Sequence, residues 1–116
     1  MTDILESHKQ VDAVFSMDDE ISIGVIQAIT EAGREDIHAI TGGGGMQEYF
    51  NMIADEKYAD LGLASALYSP SMVEEAIKSA VAVFNGEERE AVIVIPTTIV
   101  TKANVAEFID PENTVY

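Results

Sequence analysis

The sequence predicts an α/β fold, a parallel sheet flanked by helices, on two observations. Short apolar runs rich in β-branched residues recur at Val11–Ser16, Ile37–Thr41, Leu61–Leu67 and Ala91–Ile95, as buried strands require. Between them lie stretches whose apolar residues repeat every three to four positions, bounded by polar or glycine turns. The resulting order, β-α-β-α-β-α-β, calls for right-handed crossovers that lay helices against the sheet.

The elements follow in order. Residues 1–10 read as the end of a helix, with Ile4, Leu5 and His8 on one face, continuing something upstream. After the first strand, Ile21, Val25, Ala28, Ile29 and Ala32 share a helical face, and Gly33 sits where a helix stops. Arg34-Glu35-Asp36 forms a polar turn into the second strand. Gly42 to Gly45 follow it, and the next helix carries Met46, Tyr49, Phe50, Ile53 and Ala54 on one face. The third strand ends at Tyr68-Ser69-Pro70. Ser71 to Glu74 has capping-box spacing and opens a helix whose apolar face is Val73, Ala76, Ile77, Ala80, Val81 and Phe84, stopped by Asn85-Gly86. Ala91–Ile95 reads as the fourth strand, interrupted by Pro96. Thr97 to Thr101 is extended again, and Asn104 is placed to cap a last turn, Val105 to Ile109.

Composition narrows the function. The 116 residues carry 21 acidic and 6 basic side chains, a net charge of −15. That opposes nucleic acid and anionic membrane as partners, since phosphate contacts need clustered Lys and Arg. Cysteine is absent, which excludes disulfides and thiolate metal sites. With His8 and His38 the only histidines, neither a metal centre nor a cofactor is expected. No apolar run approaches the ~20 residues of a membrane span, and residues 1–10 have no signal-peptide pattern.

Two stretches could carry chemistry. Asp18-Asp19-Glu20 lies between a strand and a helix, where open α/β sheets bind ligands. Three readings are open: helix capping and dipole complementation by these acids; a carboxylate accepting ligand hydroxyls; or a metal-assisted acid pocket completed by Lys102. Gly42 to Gly45 also follow a strand and open a helix. They serve either a tight turn or the close approach of a ligand to bare backbone amides. A dinucleotide fingerprint would need glycine where Gln47 stands, and no P-loop Gly-Lys-Ser/Thr is present. His38 reads as structural, and Tyr68 as a packing residue or a platform for a sugar face.

The stretch DAVFSMDDEISIGVIQAITEAGREDIHAITGGG resembles the C-terminal part of periplasmic sugar-binding proteins of the ribose-binding type. LGLASALYSPSMVEEAI resembles their strand-Pro-helix crossover, FNGEE their Leu-x-Gly-Glu, and IPTTIVTKANVAEF their terminal segment. The resemblance implies a Rossmann-like second lobe, truncated, from a protein whose two lobes close over a sugar and deliver it to an ABC importer permease, without catalysis. It places Asp18 at the sugar-contacting Asn/Asp position, with Asp19 beside it. The glycine run, near Gly43, stands where the family has an aspartate in a Gly-x-Asp-Gly turn, so amides of Gly42, Gly43 and Gly44 take over part of that work. Tyr68 stands where a glutamine often contacts the ligand.

Members of that family are considerably longer. The resemblance implies residues 1–69 as second-lobe β-α-β-α-β, 70–90 as a crossover helix that packs on the first lobe, and 91–116 as terminal strands and tail. Without that lobe the apolar helix face needs a partner, and a homodimer is expected. An extracytoplasmic location is implied for the intact protein. The alternative is the effector domain of a lac-repressor-type regulator, which shares the fold. Arg34-Glu35-Asp36 and the Val100 to Val105 segment depart from that pattern. A small phosphoacceptor enzyme is the third class.

Overall fold

The computed structural model describes residues 1–68 and 72–113. Four helices, α1 (Thr2–Ser7), α2 (Asp19–Glu31), α3 (Gln47–Ala54) and α4 (Met72–Phe84), accompany four strands, β1 (Ala13–Phe15), β2 (Ala39–Gly43), β3 (Leu63–Leu67) and β4 (Thr98–Thr101). The strands lie side by side in chain order. β1, β2 and β3 are parallel, and β4 is antiparallel to β3, with Ser65 opposite Val100. The sheet is therefore mostly parallel, and its last strand reverses the expected direction.

That reversal follows from where the fourth strand lies. Ala91–Ile95, expected to be that strand, is not in the ladder; Thr98–Thr101 is. Thr97 Oγ1 donates to the Leu67 carbonyl at 2.6 Å, so the chain joins β3 at its C-terminal end and must run backwards. Val92 and Val94 remain largely exposed.

Alternation along the strands decides which face is buried. Ile40, Leu63 and Val100 point to one side, where Val25, Ile26 and Ile29 of α2 and Tyr49, Phe50 and Ile53 of α3 cover them. The α3 face is the expected one. α2 is rotated by about one position: Asp19, Ser22, Val25, Ile26 and Ile29 are buried, while Ile21 is half exposed. β2 begins two residues later than expected and runs through Gly42 and Gly43. The opposite sheet face is open at Ala13, Phe15, Ala39 and Ile99, although sheets of parallel strands are generally covered on both faces.

Arg34 fixes the entry into β2. Its Nε and Nη2 donate to the Asp36 carboxylate at 2.7 and 2.5 Å, and its Nη1 donates to the carbonyls of Leu5 and His8. The Val11 amide also donates to Asp36, at 2.7 Å. Buried Gln47 ties the C-terminal segment down, its amide donating to the Phe108 carbonyl and accepting from the Asp110 amide. Asn104 makes no side-chain cap. Its Oδ1 accepts from the Thr101 amide instead, and its Nδ2 donates to the Ile99 carbonyl, bracing β4.

α4 carries the expected apolar positions, but they face outward. Val73, Ile77, Val81 and Phe84 are 53–90% exposed, and only Ala82 is buried. The capping residue Ser71 lies outside the described residues. The radius of gyration is 17.8 Å, against about 13 Å for a compact domain of this length. α4 and the Val92–Ile95 stretch thus keep apolar surface apart from the main core.

Candidate functional site

Because β1, β2 and β3 are parallel, residues 16–19, 43–46 and 67–68 gather at one sheet edge. Asp18 is extended there (φ −151°) and is the N-cap of α2, its Oδ1 accepting the Ile21 amide at 2.7 Å. The Asp18 carbonyl accepts from Ser16 and Ser22 hydroxyls at 3.1 and 2.8 Å, which fixes the backbone beneath it. The side chain is half-buried. The capping residue is thus Asp18, with Glu20 in the first turn.

Gly43 forms the middle of the edge. A Cβ there would lie 3.5 Å from the Met17 carbonyl oxygen and 3.5 Å from the Tyr68 ring, so the tips of three strands touch around it. Tyr68 is 41% exposed and Met17 74%. Gly44 turns the chain with φ of +118°, and its amide donates to the Ala66 carbonyl at 3.1 Å. Gly42 points to the other face of the sheet, into the core.

Asp19 lies behind this edge and is only 1% exposed. Its Oδ2 accepts from the amides of Gly45 and Met46, both at 2.8 Å. The Ser65 hydroxyl donates to the same carboxylate, 2.8 Å from Oδ1 and 2.9 Å from Oδ2. One buried side chain therefore joins the start of α2, the entrance to α3 and the middle of β3. Tyr49, nearby, has its hydroxyl raised to about 12, chiefly by burial, with the Asp19 charge adding to the shift and a hydrogen bond to Ser22 opposing it.

The structure thus brings Asp18, Gly43, Gly44 and Tyr68 to one edge and places Asp19 and Gly42 beneath it. The glycine loop serves a tight turn whose amides at Gly45 and Met46 already have an acceptor. Lys102 does not complete an acid pocket. It follows the antiparallel β4, so it stands at the opposite sheet edge, where it pairs with Glu56 at 3.0 Å and donates to the Ala54 carbonyl. Among the described residues no group of three or more acids, histidines or cysteines could hold a metal ion. His38 is exposed and precedes β2. Sequence reasoning missed Ser65. Its signal was a lone hydroxyl inside the apolar run Leu63–Leu67.

A cavity of about 630 Å³ lies elsewhere, lined by residues including Ile29, Arg34, Ile37, His38 and Tyr58, and does not touch Asp18, Gly43 or Tyr68.

Residues 1–88 match the periplasmic binding protein domain. A protein of Rhizobium meliloti described as rhizopine-binding is 33% identical over 108 residues, covering 93% of this chain and 34% of that protein. An ABC transporter solute-binding protein from Mycobacterium smegmatis with bound glycerol superposes with a TM-score of 0.83 at 28% identity, over 97% of this chain and 38% of its own. The arabinose ABC transporter's periplasmic binding component from Shewanella sp. ANA-3, bound to L-arabinofuranose, gives 0.71 at 28% identity, over 91% and 35%. These relatives are solute-binding proteins, and the chain spans about a third of their length. With a family match over most of its residues and the same mostly parallel fold, the chain belongs to the periplasmic binding protein domain family.

Proposed function

We propose that the chain supplies one side of a sugar site in the solute-binding component of an ABC-type carbohydrate importer, with binding and no catalysis. The observation that carries this reading is the convergence of Asp18, Gly43 and Tyr68 at one edge, with an aromatic ring beside a glycine that leaves the backbone bare. Such an edge offers a carboxylate acceptor for hydroxyls and a ring for the apolar face of a sugar. Asp18 Oδ1 caps α2, and Oδ2 gives the same carboxylate a second acceptor for a ligand hydroxyl. Asp19 and Gly42 act through the others by fixing the backbone. In the intact protein the site lies outside the cytoplasm and faces a permease.

Titration of the chain with neutral pentoses, followed by amide NMR, tests this. Shifts confined to Met17, Asp18, Gly43, Gly44 and Tyr68, and lost in Asp18→Ala, are expected. With one side of the site the affinity is weak, about millimolar. Shifts elsewhere, or retained in Asp18→Ala, would refute the assignment.

A second copy is our reading of the partner of α4 in this chain. Two apolar surfaces stand open on one molecule, the α4 face and the sheet face at Phe15 and Ile99. A helix covering a sheet is the usual way both are buried. Reciprocal packing of α4 on the other copy's sheet closes both under a two-fold axis. A monomer by light scattering at high salt, where like charges are screened, would contradict it.

A further inference from the structure

We propose that Asp19 is a resident internal anion, a positioning residue that fills the anion-binding position at the entrance to α3 and disfavours anionic ligands at the edge. The inference rests on the reading of that edge as the ligand site.

A glycine turn that leads from a strand into a helix presents converging amides and the positive end of the helix dipole, the arrangement that elsewhere holds phosphate. Here α3 is eight residues long and its N-cap residue Met46 makes no side-chain cap. The amides of Gly45 and Met46 nevertheless converge on one oxygen, Asp19 Oδ2, each at 2.8 Å. The Ser65 hydroxyl closes on the same group from β3. The carboxylate thus takes the place that an oxygen of a bound anion would occupy, and it is 1% exposed.

Two consequences follow. An anionic solute arriving at Asp18 and Gly43 meets a fixed buried charge one strand tip away and finds the amides at Gly45 and Met46 already engaged. A neutral polyol meets no such conflict. The start of α2, the entrance to α3 and the middle of β3 are also joined through one side chain, so Asp19 helps to set the position of Gly43 relative to Asp18. Gly42 belongs to the same device, because a Cβ there would lie 2.3 Å from Asp19 Oδ1.

The test uses the chain with Asp19→Gly and Asp19→Asn, and formate and inorganic phosphate as probes. In Asp19→Gly, formate is expected to restore thermal stability and the amide resonances of Gly45 and Met46, while chloride at equal ionic strength does not. Phosphate is expected to shift those two amides in Asp19→Gly and to leave them unmoved in the wild type. Asp19→Asn keeps the shape and an acceptor oxygen but loses the charge, and exchange of the Gly45 and Met46 amides is expected to accelerate about tenfold as charge-assisted hydrogen bonds become neutral ones. No formate-specific rescue in Asp19→Gly, or unchanged exchange in Asp19→Asn, would overturn the proposal. If Asp19→Gly does not fold, the Asp19→Asn exchange alone decides. None of these readouts needs a sugar, so failure of the sugar reading would show separately, as wild-type chain that responds to no neutral sugar.

Discussion

Gly42 and Asp19 are fitted to one another. The position of a Cβ on Gly42 lies 2.3 Å from Asp19 Oδ1, 2.9 Å from Ser22 Oγ and 3.0 Å from the Tyr49 ring. The absence of a side chain on β2 is what lets a carboxylate from α2 reach the amides before α3. Gly42→Ala is expected to destabilise the chain by about 1–3 kcal/mol, the usual cost of overpacking. Urea unfolding measures it, and the amides of Gly45 and Met46 should lose protection in the same variant.

Gln47 offers a test of the C-terminal attachment. Its buried side chain both donates to Phe108 and accepts from Asp110. Gln47→Leu keeps bulk and removes both bonds, leaving backbone groups unpaired, and should cost about 1–3 kcal/mol. Faster exchange at Asp110 would localise the loss.

At low pH the Arg34–Asp36 pair matters. The Arg34 hydrogen bonds and then the Val11 amide hold the Asp36 carboxyl well below the usual carboxylate range. A lowered folded-state pKa contributes stability above the unfolded value, about 3.9, which is lost as pH falls towards the folded one. Stability should therefore drop below about pH 4, and the slope should be shallower in Asp36→Asn, as urea midpoints measured across that range would show.

At high pH the sign reverses. Burial raises the Tyr49 hydroxyl to about 12, so its contribution is complete below the unfolded value of about 10 and is lost as pH rises from there towards the folded value. Tyrosinate absorbance should show one late-titrating tyrosine that is missing in Tyr49→Phe, and that variant should lose less stability over the same interval.

The α/β order and the α3 face were legible because Tyr49, Phe50 and Ile53 repeat with the helical period and have a sheet to cover. The rotation of α2 was not. Asp19 and Ser22 are polar, and apolar periodicity gives no sign that polar side chains belong inside when partners await them. Ala91–Ile95 is as apolar as any strand in the chain, but pairing depends on a free neighbouring edge, which its own residues do not encode; Thr98–Thr101 holds the place beside β3. Asp18, Gly43 and Tyr68 were each visible as strand-end residues. Their gathering at one sheet edge, from positions 50 residues apart, follows only from the parallel register of β1, β2 and β3.

The most direct test of the central claim is the pentose titration followed at individual amides, in the wild type and in Asp18→Ala. The account predicts saturable shifts at Asp18, Gly43 and Tyr68, of about millimolar affinity, that vanish in the variant. Saturable shifts centred on another part of the surface, or unchanged in the variant, would contradict it.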